Sequence, residues 1–117
     1  MTFYSVVYND CHGGFSLSID AVYWLAKYGC PGALKLIDEI REREIDNLPP
    51  VFCDEEILGL NRHDSLLVMC VDELGEKASA SGSKILVRKL LGKQYRIRAY
   101  EGIETVEEPQ TIKWITI

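Results

Sequence analysis

Tyr4-Ser5-Val6-Val7-Tyr8-Asn9-Asp10-Cys11-His12-Gly13-Gly14-Phe15-Ser16-Leu17-Ser18 is the stretch whose reading decides the fold. Tyr4 to Tyr8 is rich in β-branched and aromatic residues and predicts a strand. Asn9 to Gly14 is a polar loop, and Phe15 to Ser18 leads into a helix. Ser18 is the expected N-cap, because its hydroxyl can accept from a free backbone N–H of the first turn. Leu17 and Val22 have the spacing of a hydrophobic staple. Val22, Leu25 and Ala26 form one apolar stripe along Ile19 to Tyr28, widened by Trp24 and Tyr28. Gly29 fits the left-handed position that closes a helix.

Gly13 and Gly14 have two readings. Glycines before a helix N-terminus let backbone N–H groups face an anion, which the helix dipole favours. They also serve a tight strand-to-helix connection in which no ligand takes part. The pattern is neither a dinucleotide fingerprint nor a phosphate loop, so the plain connection is the default.

The chain has 117 residues, which predicts a single domain over residues 1–117. Hydrophobic residues make up 47% and charged residues 26%, enough for an ordinary packed core. The net charge of −5 argues against a general nucleic-acid binder. No run approaches a membrane span, and the first Lys or Arg is Lys27, so the basic start of a signal peptide is lacking. Cys11, Cys30, Cys53 and Cys70 contain no C-x-x-C, which suits reduced thiols in the cytoplasm. Cys53 and Cys70 read as small apolar core residues. No Cys or His pair has the short spacing of zinc ligands, so no metal or cofactor is expected.

Pro31 suits the first position of a second helix. Leu34, Ile37 and Ile40 are its expected buried stripe, with Ala33, Leu36 and Ile45 beside it. Glu39 and Arg43 should pair at i,i+4 on the wet face, as should Asp38 and Arg41. Asn47-Leu48-Pro49-Pro50 ends this helix. Asp54-Glu55-Glu56 starts a short helix through Leu58, stopped at Gly59, its acids suiting a first turn better than a metal. A third main helix begins at Asp64, with Asn61 the alternative cap, and stops at Gly75. Leu66 to Val71 and Leu74 leave it almost no polar face, which places it centrally in the core.

The period then changes to alternation, and Lys84 to Leu90, Gln94 to Tyr100, Ile103 to Glu107 and Thr111 to Ile117 predict strands. A turn at Leu91-Gly92-Lys93 sets Val87 opposite Ile97, Ile85 opposite Ala99 and Arg88 opposite Arg96. A two-residue turn at Glu101-Gly102 sets Arg96 opposite Glu107 and Ile97 opposite Val106. The expected fold is α+β. One N-terminal strand and about three helices precede a C-terminal antiparallel meander of three or four strands, with the helices on one face.

This register leaves Lys84, Arg88, Arg96 and Arg98 on one wet face. Together with Gly13, Gly14 and Arg62 they are the candidate site of a small binding module, for an anionic small molecule or nucleotide, a nucleic-acid strand (which the net charge does not favour) or an acidic protein surface. The opposing reading is a surface ladder in which Glu107 and other acids neutralise the arginines. Cys11 with His12, or with His63 as the better base, is a weaker catalytic candidate. Thr111 to Ile117 is apolar on both faces, and as an edge it could pair with a second copy to give a homodimer.

Three fragments carry a resemblance. They are Asn9 to Ser18, then Arg62-His63-Asp64 with Glu73-Leu74-Gly75, then Tyr100-Glu101-Gly102-Ile103-Glu104. Together they resemble small uncharacterised proteins of large DNA viruses and bacteriophages. The resemblance implies an intracellular protein encoded by a virus or microbe, in the host cytoplasm if viral. It implies no activity.

Overall fold

The computed structural model describes residues 4–47, 53–109 and 116–117. Strand β1 (Tyr4–Asn9) leads into helix α1 (Ile19–Lys27), and α2 (Pro31–Ile45), the short α3 (Glu55–Leu58) and α4 (Ser65–Leu74) follow. A single 3-10 turn, Gly75–Ala78, connects to β2 (Ile85–Leu90), β3 (Arg96–Tyr100) and β4 (Ile103–Glu107). The class is α+β, as the sequence predicts. The strand expected over Thr111 to Ile117, with the self-association assigned to it, lies outside the described residues apart from its last two.

Local chemistry sets the helix ends where the sequence places them. Ser18 Oγ accepts from Ala21 N–H at 3.1 Å and donates to the Lys77 carbonyl. Leu17 and Val22 are both buried, as the staple requires. Asp54 caps α3 through Ile57 N–H, and Gly59 ends it in the left-handed conformation. Asp64 caps α4 by accepting from the N–H groups of Leu66 and Leu67. Arg43 Nε lies 3.6 Å from Glu39, the anticipated i,i+4 pair.

Two expectations about helix faces need correction. The buried stripe of α2 is Ala33, Leu36, Ile37 and Ile40. Leu34 is 52% exposed and Ile45 81%. The i+4 successors of Leu34 and the i−4 predecessor of Ile45 are charged, so neither lies on a continuous apolar stripe. Helix α4 buries Leu67, Cys70 and Val71 but leaves Met69 55% exposed, so it is not enclosed all round.

The sheet is the larger correction. β2 does not pair with β3. It pairs antiparallel with β1, with Tyr4 opposite Leu90 and Val7 opposite Val87. β3 and β4 form a separate two-stranded ribbon. The anticipated meander therefore breaks at Leu91, and Arg88 never lies opposite Arg96 in a ladder. Alternation fixes which way side chains point but not which strand is the partner. The second ribbon has the register read from the Glu101-Gly102 turn, with Arg96 opposite Glu107 and Ile97 opposite Val106.

Val6 and Val7 explain the arrangement, because both are fully buried although they point to opposite faces of β1. Val7 joins Ile85, Val87 and the helix side chains Leu25, Leu67 and Val71. Val6 joins Leu90 and Val106, with Tyr8, Tyr95 and Ile97 around them. The β1–β2 ribbon thus lies between the helices and the β3–β4 ribbon. Buried Glu108 fixes the connection between the ribbons, its Oε2 accepting from Leu91 N–H at 2.8 Å.

Candidate functional site

The loop at Cys11 to Gly14 is built for close packing of main chain. A Cβ on Gly13 would sit 1.9 Å from the Gly82 carbonyl oxygen, and one on Gly102 2.2 Å from that of His12. These glycines let three segments cross at van der Waals distance. Asn9, fully buried, fastens the crossing. Its Nδ2 donates to the carbonyls of Cys11 at 2.7 Å and Gly102 at 2.8 Å, and its Oδ1 accepts from Lys84 N–H at 2.9 Å. Ser83 Oγ donates to the Gly14 carbonyl at 2.6 Å. The sequence reading treated Asn9 only as the start of a loop.

Arg62 lies beneath this crossing. It donates to both carboxylate oxygens of Glu104, at 2.6 and 2.8 Å, and its Nε lies 2.9 Å from Glu55. Its guanidinium carbon sits 3.7 Å above the centre of the Phe15 ring. Burial alone would lower its pKa, but the hydrogen bonds to Glu104 and the close carboxylates of Glu104 and Glu55 raise it above the ordinary arginine value. Glu104 also accepts from Asn9 N–H at 2.8 Å. Arg62 and the glycine loop are therefore brought together through Glu104 and the Gly102 turn.

The other arginines also have carboxylate partners. Arg96 and Arg98 point outward, as alternation requires, and share Glu107 at 3.1 and 3.3 Å. Arg88 lies 3.8 Å from Glu108 and donates to the Val106 carbonyl at 3.0 Å. Arg96 and Arg98 with Glu107 match the opposing reading of arginines neutralised across strands, whereas Arg88, on the other ribbon, is held separately by buried Glu108.

Cys30, Cys53 and Cys70 are buried, and Cys11 is partly exposed in its loop. Burial pushes the Cys53 thiol up to about 12, with the charge of Asp54 and the neighbouring Cys30 adding to it. Burial and the charge of Glu73 do the same for Cys70, again to about 12. Alkylation of the folded protein should label Cys11 alone, read by mass spectrometry; modification of Cys53 or Cys70 before unfolding would contradict this packing. Both shifts raise the folded pKa. Their stabilising contribution is complete below about 9 and is lost as pH rises toward about 12.

His63 lies elsewhere and is engaged differently from the base role considered for it. Its Nδ1 is 2.7 Å from the Tyr95 hydroxyl, with the two rings edge to face at 5.7 Å. The pair lines a cavity of about 480 Å³ together with Tyr4, Ser5, Ser65, Val68, Met69, Leu90 and Lys93. Burial raises the Tyr95 pKa, partly opposed by the charge of Arg62. The phenol thus stays protonated. The break between β2 and β3 forms this cavity, because the connection carries Lys93 and Tyr95 over the start of α4. Met69, which the core leaves exposed, and Val68, which also packs against the core, form its apolar wall.

Sequence reasoning reached His63 but missed Tyr95 and Lys93. It assigned them to a strand's buried face and to a turn, and no local signal marks the break that brings them to His63. Glu73 accepts from Trp24 Nε1 at 2.9 Å. Among the described residues no three His, Cys, Asp or Glu side chains gather as a metal site would need. No helix among them is long and apolar enough to cross a membrane.

No protein-family model matches the chain, no curated protein matches its sequence and no solved structure matches its fold.

Proposed function

We propose that the protein is a small binding module that acts without catalysis, and that its ligand occupies the His63–Tyr95 cavity. The observation that carries this reading is the lining. Val68, Met69 and Leu90 give an apolar wall, and His63, Tyr95, Ser5 and Ser65 supply a few polar groups at its margin. A volume of about 480 Å³ is within the roughly 300–1,000 Å³ of small-molecule sites. An anion or acidic partner on the outer arginines would have to compete with Glu107 and Glu108, so the cavity is the better-supported site.

The test is binding of a neutral aromatic probe, N-phenyl-1-naphthylamine, followed by its fluorescence. Wild type should bind it with one-to-one saturation, and Val68→Trp, which fills the cavity, should weaken binding by about ten-fold or more. Binding that Val68→Trp leaves unchanged would remove the cavity as the site.

A further inference from the structure

Resting on the cavity reading above, we infer that the ligand is an amphipathic anion, with an aromatic or aliphatic body and one carboxylate, sulfonate or phosphate group. The chain is acidic, with 18 Asp and Glu against 13 Lys and Arg. Yet among the described residues no carboxylate lines this cavity, and Lys93 does. Arg62, Arg88, Arg96 and Arg98 each have a carboxylate within 4 Å. Among the described residues Lys93 has none. Lys93 is exposed at the margin of this cavity, so its ammonium stands in water and is free to pair with an anionic group on a ligand that enters.

The neighbouring polar groups agree with this assignment. The hydroxyls of Ser5 and Ser65 can donate hydrogen bonds, as can one member of the hydrogen-bonded Tyr95–His63 pair, and none of these groups carries negative charge at neutral pH. Val68, Met69 and Leu90 offer no partner to a polar group, so the apolar body of the ligand belongs against them. A wholly polar ligand would leave that wall unused. An uncharged apolar one would leave Lys93 unmatched.

The experiment compares two dyes that share one ring system, N-phenyl-1-naphthylamine and its sulfonate, 8-anilinonaphthalene-1-sulfonate. Wild type should bind the sulfonate about five-fold tighter, the effect of one solvent-touched ion pair. Lys93→Gln should remove that preference without changing the neutral dye, and Lys93→Arg should keep it. Lys35→Gln, on α2, should change neither. Equal affinity for the two dyes in wild type, or a sulfonate preference that survives Lys93→Gln, overturns the inference and leaves the cavity reading standing. Failure of both dyes to bind removes the cavity reading, and this inference with it.

Discussion

Arg62→Met should lower the free energy of unfolding by about 3–5 kcal/mol, the cost of stripping one partner from a largely buried ion pair. The side chains of Arg62 and Glu104 are 11% and 10% exposed, so water cannot substitute for the lost guanidinium. Glu55, at 24%, loses its partner too. Glu104 would keep only the Asn9 N–H, and the cation would leave the face of Phe15. Arg62→Lys should fall between, because an ammonium cannot fork across both oxygens of Glu104. Arg62→Met with Glu104→Leu should cost less than Arg62→Met alone, since no carboxylate is then left unpaired. Urea unfolding followed by tryptophan fluorescence measures all three. A single-variant loss below about 1 kcal/mol would mean that the pair is hydrated and surface-like.

Asn9→Leu should cost about 3 kcal/mol, from three buried or partly buried backbone groups left without a partner at roughly 1–3 kcal/mol each, eased by partial hydration. The substitution keeps most of the volume, so the loss reports hydrogen bonds more than packing. Asn9→Asp keeps the acceptor for Lys84 N–H but turns a carboxylate oxygen toward the carbonyls of Cys11 and Gly102, so it should be no milder at neutral pH. Hydrogen exchange should show where the damage falls, with protection lost in residues 9–14, 82–85 and 101–104 before the helices. Uniform loss across the molecule would mean that Asn9 does not clasp these segments specifically.

These two residues show what the sequence could and could not disclose. Helix ends are local chemistry, so Ser18, Asp54, Asp64, Gly59 and Gly75 could be read directly. The Glu101-Gly102 hairpin is local as well: its turn fixes its register, and that register holds. The pairing of β1 with β2 joins residues some 80 positions apart in sequence. It is settled by the need to cover Val6 and Val7 on both faces, and nothing near Lys84 signals it. The arginines point where alternation sends them. Their carboxylates are set by register in the case of Glu107 and by tertiary packing in that of Glu104 and Glu108. The His63–Tyr95 cavity is wholly a product of that packing, which is why only its His63 was among the sequence candidates.

Chemical-shift mapping of the folded protein during titration with 8-anilinonaphthalene-1-sulfonate tests the cavity assignment most directly. The methyl resonances of Val68, Met69 and Leu90 and the ring resonances of His63 and Tyr95 should move together and saturate. Shifts centred on residues 11–14 or on Arg88, Arg96 and Arg98, with the cavity methyls unmoved, would contradict the account.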